Sequence, residues 1–209
     1  MACLGLWLLL ASPAAATTTL VAFGDSLTAG LGLAPEDGFV PQLQAWLTAQ
    51  GQDVKVVNAG VSGDTTAGGL ARLDWTLTPD VQAMIVTFGG NDLLRGIDPG
   101  VSRANLDGIL KGAAAHGVKV LLVAMAGPGN YGPEYKAAFD AMYPDLAAQY
   151  HLDLFPDFFG PLIGDGPPDP AKLVRFLQAD GLHPNPEGVR KIVAGIGPAV
   201  VKLLGEVAP

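Results

Sequence analysis

The chain has 209 residues, 49% of them apolar, and a formal net charge of −8. That length suits one domain with a sizeable core and makes a second cramped, while the apolar fraction excludes disorder. With only 12 Lys and Arg against 20 Asp and Glu, the composition also argues against nucleic acid and anionic membrane surfaces as partners, since both want clustered cations.

The first segment reads MACLGLWLLLASPAAATTT. An apolar stretch at Leu4–Ala11 is followed by small residues, with Ala14-Ala15-Ala16 as an A-x-A cleavage site. This is the pattern of a secretory signal peptide, and it is too short to span a bilayer. No Lys or Arg precedes the apolar stretch, and an N-terminal membrane anchor is the alternative. The expectation is a signal peptide over residues 1–16, export to the periplasm or beyond the cell, and one domain over 17–209. Cys3 is the single cysteine. A processed chain would then have no disulfide, no Cys-based zinc site and no thiol nucleophile.

From residue 17 onward, short β-rich runs alternate with helical periods. Strands are predicted at Leu20–Phe23, Val54–Val57, Met84–Phe88, Val118–Ala124 and Leu152–Phe155. Phe39, Val40, Leu43, Trp46 and Leu47 mark one helix face, with Gly51 as its stop. Leu106, Ile109, Leu110 and Ala113 mark a second, ended by Gly117; Tyr135, Phe139, Met142 and Leu146 mark a third. Val189, Ile192, Val193, Ile196, Val200 and Leu203 mark the last. Strand–helix alternation with continuously apolar strands predicts an α/β fold, a parallel sheet covered on both faces. Residues 160–170, GPLIGDGPPDP, read as a loop, because too little chain follows for another domain.

In such a sheet, ligands bind beyond the carboxyl ends of the strands. The stretches found there are Gly24-Asp25-Ser26, NAGVSGDT at 58–65, GGND at 89–92 and MAGPGNYG at 125–132. Taken singly, each has a simple structural use: Ser26 as a helix cap, Gly63 as a turn, Asn91 as an Asx turn. A serine nucleophile needs a base, and there are three histidines. His116 ends a helix as a C-terminal cation or surface residue, and His151 is expected to open a short strand as a packing residue. His183 lies in ADGLHPNPEG, three residues after Asp180. Pro184 and Pro186 keep His183 and Asn185 out of the helical region, and Asn185-Pro186 makes a good helix start. Asp180 and His183 therefore belong to a rigid turn, where a carboxylate can orient an imidazole.

Ser26, Gly63, Asn91 and the Asp180/His183 pair, in this order, resemble the four blocks of the SGNH hydrolases, also called the GDSL family. The blocks are Gly24 to Leu27, Gly63 in SGDT, Gly89-Gly90-Asn91-Asp92, and Asp180 to His183. FGDSLTAG, SGDTT, GLARL and GGNDLLRG are most similar to the exported bacterial thioesterase, lysophospholipase and arylesterase branch. The resemblance covers nearly all of residues 17–209. It implies a flavodoxin-like three-layer α/β/α sandwich with a parallel sheet of about five strands and one SGNH catalytic domain. It implies Ser26 as nucleophile, His183 as base and then acid, and Asp180 as orienting carboxylate. The oxyanion hole would be the backbone N–H groups of Ser26 and Gly63 and the side chain of Asn91. Leu27, Leu93, Asn130 and Tyr131 are the expected substrate contacts. The α/β-hydrolase alternative is weaker, because Gly24-Asp25-Ser26-Leu27-Thr28 lacks the last glycine of G-x-S-x-G and follows the first strand.

The expected substrates are short- to medium-chain acyl or aryl esters, then lysophospholipids and acyl thioesters. Carbohydrate deacetylation and a non-catalytic binding module are the alternatives. Arg72 and Arg95 are the local cations, with a surface salt bridge expected for Arg72. The Pro-rich stretch 160–172 is expected to wall the acyl pocket or cover it, a passive surface loop being the alternative. No metal and no cofactor are expected, nor a stable membrane span, and the chain is expected to be a monomer.

Overall fold

The computed structural model describes residues 17–127, 129–164 and 173–207. The proposed signal segment, Cys3, and residues 165–172 of the Pro-rich stretch lie outside them. Five strands, β1 (Thr18–Gly24), β2 (Val54–Gly60), β3 (Val81–Thr87), β4 (Lys119–Val123) and β5 (Asp153–Phe155), form one parallel sheet in the order β2-β1-β3-β4-β5. Strand β1 is buried almost throughout, as a central parallel strand with helices on both sides must be.

The helices are α1 (Ser26–Ala29), α2 (Phe39–Ala49), α3 (Thr66–Ala71), α4 (Leu73–Thr76), α5 (Gly90–Leu94), α6 (Pro99–Ala115), α7 (Pro133–Tyr150), α8 (Gly160–Ile163) and α9 (Pro186–Leu204). On one side of the sheet α2, α8 and α9 pack together; on the other α3, α4, α6 and α7 do. Phe39, Leu43, Leu47, Ile192, Ile196 and Val200 fill the first interface, while Leu106, Ile109, Leu110, Phe139, Met142 and Leu146 fill the second. These are the faces that the 3.6-residue period marks. Among the described residues, no helix is long and apolar enough to cross a membrane.

Three readings need correction. Residues Gly160–Ile163, expected to be part of a loop, form α8 and pack on α9. His151 does not open β5; it caps α7 in the left-handed conformation with φ 54° and is exposed. Helix α7 runs through to Tyr150, and its last turn needs a residue that reverses the chain. Asn91 and Asp92 lie within the short helix α5 rather than on a loop.

The strand ends place the site. Gly24 pairs with Gly60 on one side and with Thr87 on the other, so β1, β2 and β3 stop level. Sheet order reverses at β1, which makes the gap between β1 and β3 the switch point where ligands settle. Helix α1 starts there, capped by Asp25, whose carboxylate accepts from the Leu27 N–H at 3.0 Å, and closed by Gly30 with φ 83°. Its backbone lies directly on Gly60, where a Cβ would collide with the Ala29 nitrogen. Gly60→Ala is therefore expected to cost about 1–3 kcal/mol by overpacking, read as a lower urea midpoint; an unchanged midpoint would show that α1 does not depend on this close approach.

Candidate active site

Ser26 is the first residue of α1 and is 8% exposed. Its Oγ lies 2.8 Å from His183 Nε2, and His183 Nδ1 lies 2.6 Å from Asp180 Oδ2. The turn that joins the last two is built by Asp180 itself. Its Oδ1 accepts from the backbone N–H groups of Leu182 at 2.9 Å and His183 at 3.0 Å. Gly181 supplies the left-handed residue, φ 69°, between them. Those two backbone donors, then the imidazole, hold the Asp180 carboxyl down at about 2. It stays ionised wherever an imidazole can act as a base. Around it, Gln178 N–H donates to His183 O at 2.7 Å and Asn185 N–H to Phe176 O at 2.8 Å. Asn185 caps α9 through Gly188 N–H, with Pro186 at the first helical position. The Gln178 amide donates to both Pro184 O and Leu31 O, tying the His183 turn to the segment that follows the serine.

Gly63 has φ 86°, a conformation that favours glycine. Among the described residues its N–H has no backbone acceptor, and the N–H of Ser26 heads α1, where no intrahelical partner exists. The Asn91 carboxamide donates from Nδ2 to Asp25 Oδ2 at 3.2 Å. A cavity of about 380 Å³ opens beside these groups, lined by Ser26, Gly63, Asn91 and His183 and by Leu27, Leu31, Leu93, Leu94, Met125, Ala126, Phe159 and Leu182. Its volume falls in the lower part of the usual range for small-molecule sites, and its wall is mainly apolar with a few convergent polar groups. Leu27 and Leu93 therefore stand where expected. Asn130 and Tyr131 do not line this cavity: they lie on a 3₁₀ turn, with Tyr131 packed on Tyr135 at a ring separation of 4.9 Å. Met125 and Ala126, the first residues beyond Ala124 at the end of β4, take that wall instead.

The sequence pattern of the GDSL-like Lipase/Acylhydrolase family matches residues 22–191. Esterase TesA of Pseudomonas aeruginosa is 42% identical over 203 residues, covering 97% of this chain and 96% of that protein. The chain belongs to the GDSL-like lipase/acylhydrolase family. Thioesterase 1/protease 1/lysophospholipase L1 of Escherichia coli is 37% identical over 179 residues, covering 85% of this chain and 80% of the relative. Among solved structures, the psychrotrophic esterase EstA from Pseudoalteromonas sp., inhibited by monoethylphosphonate, superposes with a TM-score of 0.80 at 29% identity, covering 90% of this chain and 100% of that one.

As a member of the GDSL-like lipase/acylhydrolase family, the chain is an ester hydrolase. Several of its supporting side chains carry no signal in the motif blocks read singly. Arg72 is not a plain surface ion pair. It is half-buried, bonds Asp64 at 2.6 Å through Nε, donates to Gly24 O at 2.9 Å and lies 4.4 Å over the Phe23 ring. It thereby joins the strand before Ser26 to the loop that holds Gly63. Arg95 is exposed and donates to Gly63 O at 2.8 Å. Asp92 is fully buried and accepts from Thr66 N–H at 2.8 Å, Thr66 Oγ1 at 2.5 Å and Ser102 Oγ at 2.9 Å, which pins α5 to α3 and α6. Asp92→Ala should destabilise the protein by about 1–3 kcal/mol for each donor left unpaired; a chemical denaturation midpoint equal to that of the parent would remove Asp92 from the site's support.

Proposed function

We propose that the protein hydrolyses short- to medium-chain acyl and aryl esters through an acyl-enzyme on Ser26. The observation that carries this reading is the unbroken line from Asp180 through His183 to the Ser26 hydroxyl at the edge of an apolar cavity. His183 Nε2 takes the hydroxyl proton as Oγ attacks the ester carbonyl, and the ionised Asp180 holds Nδ1–H and stabilises the imidazolium. Negative charge then develops on the carbonyl oxygen. The N–H groups of Ser26 and Gly63 and Nδ2 of Asn91 are its donors. Collapse expels the alcohol, which takes its proton from His183, and water repeats the sequence to release the acid.

The cavity supports the substrate ranking. Leu27, Leu31, Leu93, Met125 and Phe159 suit an acyl or aryl group. The relative named for thioesterase and lysophospholipase activities makes acyl thioesters and lysophospholipids the next classes. A sugar would find few hydrogen-bond partners on this wall, which leaves carbohydrate deacetylation the poorer reading. We take residues 17–209 as one catalytic domain and residues 1–16 as an export signal, on the strength of the apolar stretch and the A-x-A site.

Purified protein and its Ser26→Ala variant, assayed on p-nitrophenyl acetate, butyrate and octanoate, test the assignment. The variant should lose about 10⁵–10⁶-fold in kcat, as removal of a serine nucleophile does elsewhere, and Asn91→Ala about 10²–10³-fold. Hydrolysis that persists in Ser26→Ala would dismiss the nucleophile.

A further inference from the structure

Asp25 sits between the proposed nucleophile and the strand that leads to it, and its side chain belongs to the cavity wall. It is 1% exposed. Each oxygen faces an N–H donor: Oδ1 takes the Leu27 backbone N–H at 3.0 Å, and Oδ2 takes Nδ2 of Asn91 at 3.2 Å. No Lys or Arg forms an ion pair with it among the described residues. Capping a four-residue helix does not need a carboxylate, since Ser or Asn caps as well. A negative charge beside a pocket that must stabilise an oxyanion is unfavourable on Coulombic grounds. Something else must account for the acid at this position.

We propose that Asp25 is a positioning residue for Asn91: as a pure acceptor it fixes which way the carboxamide faces, so that Nδ2 and not the amide oxygen is presented to the developing oxyanion. The proposal rests on the reading of Asn91 as an oxyanion donor. An Asn side chain has two nearly isosteric ends, one donor and one acceptor. Flipped, it would aim a carbonyl dipole at the oxyanion and turn a stabilising group into a repulsive one. An ionised carboxylate tolerates only the NH₂ end. One N–H of that group is held by Oδ2, and the other is left to point elsewhere.

The electrostatic setting fits a residue kept for alignment at the expense of the fold. Burial is the largest influence on Asp25 and pushes its carboxyl up to about 6, against the lowering effects of the Leu27 N–H, the Asn91 amide and His183. His183, on the turn before α9, Asp92 on α5 and Tyr143 on α7 are the titratable groups whose fields reach it. The folded protein therefore holds the Asp25 proton more tightly than the unfolded chain does. The stability associated with that proton is present below pH 3.8 and lost as pH rises through about 6. At neutral pH the ionised form strains the fold it belongs to.

Asp25→Asn removes the charge and lets the new carboxamide pair with either end of Asn91. Asp25→Ser keeps the helix cap but leaves Asn91 without its acceptor, and serves if the first variant folds poorly. Both, with Asn91→Ala and the double variants, are assayed for kcat, KM and melting temperature on p-nitrophenyl butyrate. Misalignment of the donor is expected to lower kcat by up to about 10²-fold with KM nearly unchanged. On the Asn91→Ala background the same substitutions should have almost no further effect, because the group they act through is gone. The melting temperature of Asp25→Asn should exceed that of the parent at pH 8 and converge with it near pH 4. Losses that multiply in the double variants, or a kcat equal to the parent's, would overturn the proposal. If Asn91→Ala alone keeps full kcat, the oxyanion reading of Asn91 falls first and takes the Asp25 role with it; Ser26→Ala in the same series shows whether the nucleophile assignment survives.

Discussion

The level ending of three strands is the constraint on which the site depends. Gly24, Gly60 and Thr87 pair across the sheet, so the chain leaves β1, β2 and β3 at one height and on one edge. Ser26, Gly63 and Asn91 follow within a few residues of these points. Glycine at 60 lets the α1 backbone rest on the neighbouring strand, and Arg72 clamps Gly24 O to Asp64 from below. A one-residue slip of β2 against β1 would turn every side chain of that strand to the opposite face and carry the Gly63 loop away from the serine. Packing and chemistry are thus fixed by the same register.

Two aspartates close to the Ser26 hydroxyl and the His183 ring are tuned in opposite directions. Asp180 is exposed and receives two backbone N–H groups and an imidazole, which favour its ionised form. Asp25 is buried with one backbone N–H and one amide, and its proton is retained to about 6. Neighbouring carboxyl groups driven apart by their surroundings commonly divide the work of a site. Here the separation comes from donor count and solvent contact.

Much of this was readable from residue order. The five strands were visible as apolar runs, and the long helices as 3.6-residue faces that continue through Pro144 and Pro198; period was the better guide there than propensity. Pro184 and Pro186 marked the turn of Asp180 and His183 because proline constrains its predecessor. The cavity wall was harder. Asn130 and Tyr131 lie in the far part of the segment after β4, whereas the wall is made by Met125 and Ala126 nearer the strand end. Strand-end position alone would have pointed to them. Phe159 and Leu31 come from segments brought in by tertiary packing, for which no local pattern exists. Gln178 and Arg72 act by bonding backbone oxygens of distant segments, contacts that spacing along the chain does not encode. His151 closes α7 rather than opening β5, because apolar period marks a helix face far better than a helix end.

The bond between His183 and Ser26 spans 157 positions of the chain. A polypeptide still emerging from the ribosome can finish β1 to β4 and bury much of its core with no imidazole near the serine hydroxyl. On the proposed assignment, the serine meets its base only once the turn of Asp180 and His183 has folded ahead of α9. On the same assignment, a fragment ending before residue 183 would lack the base that the serine needs.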